Sequence, residues 1–453
     1  MSLTHLNARL WRFLWNFKDH QINPFYKFSV NELALNRKAL DSLILLRLQE
    51  ILQYAYQNSP FYHQTFDKIQ IKPADLISLK DIKQFPILTR VHLRERLEDF
   101  SSINSLKKNW IRSATGGTTS SPIFYYRDHN TTLRRHADTE AIDEWFGRRM
   151  GDRVAYLWGA PQDFPQKPTI GMRLRNLTYL RVLMLPSAPL DDAIFESHFQ
   201  QLVKWRPTFL QAYPSPLYEF CLYLKKSGRR LPFLKSASVT AEPLYDYQRK
   251  LIEEIFEFKI FNWYGSRELG RVASECNYHT GLHINEPSVF VEVEPDPSLP
   301  DGFGHLLVTD LWNRATPFIR YETGDIAQTT SGDCPCGCSL KQLARIEGRL
   351  VDMIVLPRGR KVPGVSLTNR IIKDFSEISE LQVVQKTMDS FLLRFVRGPL
   401  WNSESLQKIE SNLQQLIDYK AKIYFEELKE LPRSPSGKIR FVISEVSEKT
   451  LQI

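Results

Sequence analysis

Between residues 154 and 309 the sequence repeats one short pattern: brief apolar runs, each long enough for one buried strand, separated by stretches of helical spacing. Residues 154–158, 209–212, 236–239, 260–263 and 306–309 are such runs, and 245–256 is one of the helical stretches between them. Strands that alternate with helices bury their faces under those helices, so the pattern predicts an α/β core. At 453 residues the chain is too long for a single core, and two or three packed units are expected. The charged stretch 345–354 and the apolar run 351–356, which turns at Pro357-Arg358-Gly359-Arg360, mark where a smaller unit begins. That unit holds a helix over 404–416, strands around Leu392 and Ile423, and a last strand over 439–446 after a Pro-Ser-Gly turn, which predicts a compact α+β fold.

The N-terminal part reads as helical. Leu3, Leu6, Leu10, Phe13, Leu14 and Phe17 share one face, with Arg9, Arg12 and Lys18 interleaved. Such a helix either docks on its own protein, the favoured reading, or makes peripheral contact with a membrane surface. A second helix over 40–56 ends at Asn58-Ser59-Pro60, where proline cannot continue it. Hydrophobic residues form 42% and charged residues 25% of the chain, proportions of a soluble globular protein. No run approaches the roughly 18 apolar residues of a spanning helix, and no signal peptide precedes the body, so a cytoplasmic protein without a transmembrane segment is expected. The net charge of +9 points to a polyanionic partner. Without a Lys/Arg run or a basic-aromatic motif, a nucleotide fits that charge and nucleic acid is not expected. Of the five cysteines, Cys334, Cys336 and Cys338 crowd together, Cys276 lies upstream and Cys221 sits alone in a helical pattern. Crowding of this kind suggests metal binding rather than a disulfide framework.

Five motifs carry chemistry. Ser113-Ala-Thr-Gly-Gly-Thr-Thr-Ser-Ser-Pro122 is either a phosphate loop or an ordinary linker. In the first case Gly116 and Gly117 bring backbone N–H groups to phosphate oxygens, and Thr115, Thr118 and Thr119 add hydroxyl donors. Tyr264-Gly265-Ser266-Arg-Glu268 follows a strand, where ligands bind in open α/β sheets; the tyrosine can stack on a base and the glutamate can hold magnesium. Arg320-Tyr-Glu-Thr-Gly-Asp325 presents an exposed aspartate after a glycine turn, suited to both ribose hydroxyls. Arg345-Ile-Glu-Gly-Arg349 sets a guanidinium at the inferred boundary. Arg433-Ser-Pro-Ser-Gly-Lys438 sets a lysine on a glycine turn near the C-terminus.

In order and spacing these motifs resemble the acyl-AMP-forming ligase superfamily of synthetases and luciferase-like enzymes. Within it the chain is most similar to the phenylacetate–CoA ligase branch, which includes coenzyme F390 synthetase and CapK-like proteins. The carrying residues are Tyr213-Pro214-Ser215, Ser238-Val-Thr-Ala-Glu242-Pro243, Tyr264–Glu268, Gly281-Leu-His283 and Cys334-Pro-Cys336-Gly. The resemblance implies a large adenylate-forming domain over 1–350 with mixed sheets flanked by helices, its first hundred or so residues helical, and a small mobile α+β lid over 351–453. It implies that Thr115 to Thr119 grip the ATP phosphates, Ala241, Glu242 and Pro243 line the adenine pocket with Tyr264, Glu268 binds Mg2+, Asp325 holds the ribose, and Arg349 contacts ribose or phosphate. Lys438 would bridge the attacking carboxylate and the α-phosphate, while Tyr213 and Pro214, with Trp158 and Trp263, would wall the acyl pocket. Cys276, His283, Cys334 and Cys336 would hold a structural zinc, with Cys338 or His279 as substitutes.

The activity so implied is activation of a carboxylic acid, aromatic acids among the candidates, as acyl-AMP, then transfer to coenzyme A. The alternatives are a CapK-like transfer to an amine or hydroxyl acceptor, and a zinc-stabilised scaffold with a vestigial site. Two departures stand out: Ser120 replaces the glycine expected after the paired threonines, and Val351, followed by Asp352, occupies the family's hinge position.

Overall fold

The structure, a computed structural model, describes residues 22–100, 110–115, 123–158, 181–187, 191–330, 332–349, 353–357, 361–362, 378–398, 401–402, 404–417, 419–432 and 439–446. The amphipathic segment expected before Asp19 lies outside these residues. A hairpin of β1 (Ile111–Ala114) and β2 (Phe124–Arg127) comes first. Eleven strands then form one sheet: β3 (Val154–Trp158), β4 (Val182–Pro186), β5 (Phe209–Ala212), β6 (Ser236–Val239), β7 (Phe261–Ser266), β8 (Gly270–Glu275), β9 (Leu282–Ile284), β10 (Val289–Pro295), β11 (Phe303–Asp310), β12 (Tyr321–Thr329) and β13 (Gln342–Arg349).

Their order is β10-β11-β12-β13-β9-β8-β7-β6-β5-β3-β4. From β4 to β7 neighbours are parallel, and from β7 to β10 they are antiparallel, so β7 is the strand at which the pairing changes. Parallel neighbours need crossover connections. Helices Asp192–Trp205, Pro214–Ser227 and Asp246–Phe256 supply them. The second begins with proline at a position whose N–H has no helical partner and ends on Gly228 at φ 66°. These helices cover Ala155, Leu157, Leu210, Ala212, Ala237 and Val239, whose alternate neighbours face the other side. There the helix His129–Asp143, capped by the Asp128 carboxylate on the Thr131 N–H, packs with the N-terminal helices.

Helix Arg37–Asn58 buries Leu40, Ile44, Leu48, Ile51, Leu52 and Ala55, a stripe at helical spacing. Pro60 both stops this helix and opens the next one, Pro60–Lys68, because proline is tolerated in a first turn. The 345–349 segment, expected as a boundary, is the end of β13 inside the large sheet. Among the described residues no helix is long and apolar enough to cross a membrane.

The C-terminal part has the short hairpin β14 (Ile354–Val355) and β15 (Lys361–Val362), then β16 (Ile378–Thr387), β17 (Ser390–Arg397), β18 (Lys422–Glu427) and β19 (Val442–Ser444). The last four form a sheet in the order β18-β17-β16-β19, against which helix Ser405–Ile417 packs Ile409, Leu413 and Ile417. The final strand is thus shorter than expected. The Gln385 amide hydrogen-bonds both the N–H and the carbonyl of Val355, tying β14 to this sheet in place of a strand neighbour. The sheet meets the body where Phe441 packs on Tyr245, ring centroids 4.7 Å apart.

Candidate active site and metal centre

Ligands in open α/β sheets bind beyond the carboxyl ends of strands, at positions where the topology changes. Four expected motifs lie at such ends: Trp158 as the last residue of β3, Tyr213-Pro214 after β5, Ala241-Glu242-Pro243 after β6, and Tyr264 to Glu268 at the end of β7. The Trp158 and Tyr213 rings pack together, centroids 4.6 Å apart. Ala241 adopts φ 70°, a left-handed conformation that costs energy without glycine. The turn it makes aims Glu242 at the first turn of helix Pro214–Ser227, where the carboxylate accepts the Ser215 N–H at 3.0 Å. The adenine and acyl-pocket motifs are therefore joined through one helix N-terminus.

The motif at Tyr264 was read as following its strand; β7 in fact runs to Ser266 and turns tightly into β8. Gly265 is required there, because a Cβ would stand 2.2 Å from the Gly270 carbonyl oxygen. The Ser266 hydroxyl accepts the Leu269 N–H across the turn. The Tyr264 hydroxyl donates to Asp325 at 2.5 Å. Burial first, and then the Asp325 carboxylate, push this hydroxyl far above the ordinary tyrosine range, so it stays a donor.

Asp325 was expected exposed on a turn, but it is half-buried within β12. Four steps of β12, Glu322 to Ile326, face two of β11, His305 to Leu307, so the strand bulges. Gly324 at φ 81° permits the bulge, which turns Asp325 towards Tyr264. In the antiparallel register Asp325 lies directly opposite Arg349, and the neighbouring Gly348 comes against the Pro243 ring. Glu268 is buried, within electrostatic reach of Arg90, Tyr264 and Tyr321.

Thr115 closes the base of its loop: its N–H donates to the Ile123 carbonyl and its hydroxyl accepts the Ile123 N–H. Its hydroxyl oxygen is therefore already in use, while its proton remains available to donate. Gly116, Gly117, Thr118, Thr119, Ser120, Val351, Asp352 and Lys438 lie outside the described residues, as does the Arg349 side chain.

One charged residue escaped the sequence analysis. Arg90, half-buried in the first turn of helix Arg90–Glu95, donates to the Thr323 carbonyl at 3.3 Å. Burial disfavours its charge, but Tyr321, Glu268 and Asp325 nearby outweigh that and hold it protonated. Its only local signal is the capping Thr89; its proximity arises from the bridge between Leu88 and Tyr321, far apart in sequence.

A second cluster lies farther along the antiparallel half. Pairing of β9 with β13 sets His283 opposite Gln342 and so brings the 276–283 and 334–342 segments together. The ligand atoms of Cys276, His283, Cys334 and Cys336 all fall within 4.8 Å of one another. His283 Nδ1 faces the Leu340 carbonyl at 3.2 Å, which fixes the proton there and makes Nε2 the lone-pair nitrogen, set 3.3 Å from the Cys336 sulfur and 3.1 Å from the Gln342 amide nitrogen. Burial opposes ionisation of Cys334, but the Cys336 N–H and the Thr280 hydroxyl outweigh it and lower this thiol below its ordinary value. Three thiols and one imidazole, mostly buried and with their outer partners in place, suit a closed tetrahedral zinc. The proposed substitutes point elsewhere: Cys338 faces the Leu33 carbonyl, and His279 pairs with Glu275 at 3.0 Å.

Comparison with known proteins agrees with the motifs. Residues 354–445 match the family described as CapK C-terminal domain. Over 404 residues the chain is 24% identical to Protein CapK of Staphylococcus aureus, covering 88% of each chain. It is 28% identical over 372 residues to the phenylacetate-coenzyme A ligase of Escherichia coli K12, covering 78% of this chain and 79% of that one. Among solved structures, 2-hydroxyisobutyryl-CoA ligase in the postadenylation state, in complex with R3-HIB-AMP, gives a TM-score of 0.75 at 21% identity over 92% of both chains. The same ligase in its thioesterification state gives 0.59 at 22% identity over 92% of both chains. The fold is that of the adenylate-forming acyl-CoA ligases, and the chain is a relative of CapK and the phenylacetate–CoA ligases.

Proposed function

We propose that this chain is an ATP-dependent, adenylate-forming carboxylate ligase. The carboxylate of an acid attacks the α-phosphate of ATP, acyl-AMP forms and pyrophosphate leaves; the coenzyme A thiol then attacks the acyl carbonyl and AMP leaves. The observation that carries this reading is the convergence, beyond the end of β7, of the Tyr264–Asp325 pair, the Arg349 register position, Pro243 and the buried Glu268.

Asp325 accepts the ribose hydroxyls, and Tyr264 with Ala241, Glu242 and Pro243 encloses the base. Thr115 to Thr119 hold the phosphates, Arg349 reaches ribose or phosphate, and Arg90 adds positive charge where negative charge builds on the phosphoryl oxygens. Glu268 holds Mg2+, which supplies neutralisation of phosphate charge during the transfer. Residues 1–350 form the adenylation domain and 351–453 the lid. The higher TM-score against the postadenylation state supports a lid set as it is after the first step. Lys438 enters with that lid to align the two anions, and zinc in the cysteine–histidine cluster staples the loops behind the site.

A second reading differs only in the acceptor. It is the CapK-like alternative, transfer to an amine or hydroxyl in place of the thiol, and the chain's similarity to CapK keeps it beside the first. Pyrophosphate exchange with a broad panel of acids tests the first step, and an absence of exchange with all of them overturns it. Dependence of AMP release on added coenzyme A separates the two acceptors.

A further inference from the structure

The parallel strands treat their two faces differently. On the face under the crossover helices the apolar core runs their whole length, from Ala155 to Leu157 on β3 and from Ala237 to Val239 on β6. On the other face its fully buried residues stop after one row, and Tyr156 and Trp263 pack against it beyond them. Val154 and Phe209 belong to the core, but the register sets Tyr156, Gln211 and Ser238 side by side in the next row. Beyond them, towards the carboxyl ends, stand Trp158, Tyr213 and Thr240.

The polar groups in these rows are enclosed: Ser238 is 0% and Thr240 1% exposed. The hydroxyls of both, and the indole Nε1 of Trp263 on the next strand, are buried without a hydrogen-bond partner among the described residues. Buried polar groups are nearly always bonded, because leaving one unpaired forfeits its hydration without return. Three such groups in neighbouring strands, behind the proposed acyl pocket, are complementary to something that carries hydrogen-bonding groups of its own. A plain hydrocarbon body would leave all three stranded.

We infer that the acid activated here is hydroxylated, its carboxylate directed to the nucleotide and its hydroxyl groups read by Ser238, Thr240 and the Trp263 indole. The indole only donates, so the group that meets it must accept, which a hydroxyl does and an ammonium does not. Trp158 and Tyr213 give a flat apolar wall, which a ring or short chain between the two polar ends can cover. This inference rests on the ligase reading and names the substrate class of that same site.

The test compares pyrophosphate exchange with phenylacetate, 3-hydroxyphenylacetate, 4-hydroxyphenylacetate and 3,4-dihydroxybenzoate. A site that hydrogen-bonds a substrate hydroxyl discriminates steeply against analogues lacking it, so at least one hydroxylated acid should exceed phenylacetate in kcat/KM by about a hundredfold. Ser238→Ala and Thr240→Val should each shift that ratio about tenfold towards phenylacetate without lowering the melting temperature, since neither hydroxyl has a partner to lose. Phenylacetate equal to or better than every hydroxylated acid overturns the inference and leaves the ligase reading intact. An unchanged ratio in both variants also overturns it, because the hydroxyls then serve only ordered water. Absence of exchange with all four acids, when a broader panel of unsubstituted acids does support it, again defeats the inference alone; silence across both panels defeats the ligase reading with it.

Discussion

The two halves of the large sheet bury different kinds of polar side chain, charged ones in the antiparallel half and uncharged ones in the parallel half. In the antiparallel half the buried charges of Arg271 and Arg320 sit in ion pairs, with Asp143 at 2.7 Å and with Glu292 at 3.0 Å, and the cysteine–histidine cluster draws two distant segments together. In the parallel half the buried hydroxyls of Ser238 and Thr240 have no partner among the described residues. Paired polar groups fix a structure, whereas unpaired ones await a partner. The antiparallel half is thus built as a rigid frame that presents Asp325 and Arg349, and the parallel half as a receptive wall. They meet at β7, where Tyr264 touches both.

The largest test of this contrast is removal of the metal. Stripping zinc with a strong chelator, or Cys276→Ser, should cost at least about 5 kcal/mol, because binding energy at a structural zinc site is folding energy. The loss should be confined: hydrogen exchange is expected to rise across 276–283 and 334–342 while β3 to β6 keep their protection. Uniform loss across both halves, or a purified protein with no zinc, breaks the comparison. Next in size is Lys438→Ala, which takes away a group that belongs to neither half. Pyrophosphate exchange should fall about 100- to 1000-fold, the usual effect of deleting one transition-state donor, with ATP binding retained. Exchange at the parental rate would remove lysine from the mechanism. Gly265→Ala strikes the strand where the halves join. Its methyl would meet the Gly270 carbonyl oxygen at 2.2 Å, a backbone atom that cannot swing aside, so a destabilisation of about 2–3 kcal/mol is expected in thermal or denaturant unfolding. Unchanged stability would mean that the β7–β8 turn is looser than the packing indicates.

What the sequence announced and what it withheld divide along physical lines. The strands β3, β5 and β6 were legible to the residue, because each is a short run buried on both faces and ended by a clear break. The Asp325 bulge was not, since the two extra residues exist only relative to β11, a strand some twenty residues away in sequence. Arg90 was invisible for the same reason: nothing near it in sequence hints at Glu268 or Asp325, and a single bridge between Leu88 and Tyr321 brings it there. The metal ligands, His283 among them, were legible as a set before the fold was known, and what needed the structure was to set the substitute His279 aside, since it pairs with Glu275 instead. Polarity on one face of the parallel strands was hidden differently. Serine and threonine in a strand read as ordinary, and only the alternating cores show which face they line.

The smallest predicted effect probes the edge of the parallel half. His198, in helix Asp192–Trp205, is 3% exposed and donates from Nε2 to the Pro186 carbonyl at 2.9 Å, which leaves Nδ1 as the unprotonated nitrogen, buried without a hydrogen-bond partner among the described residues. Burial lowers its pKa below the ordinary 6.5, so folding favours the neutral ring. The unfolded chain then binds the extra proton first, and stability rises with pH in that window. Acidification should therefore erode stability as the pH drops below 6.5 and through the lower folded value, by at most about 1.4 kcal/mol per pH unit, the limit for a single proton. His198→Gln keeps a donor for Pro186 and cannot ionise, so its stability should vary less between pH 7 and 5 than that of the parent chain. An identical pH profile in the variant would show that the edge of the parallel half tolerates a buried charge, and that unpaired polarity in this half carries less cost than the contrast with the antiparallel half requires.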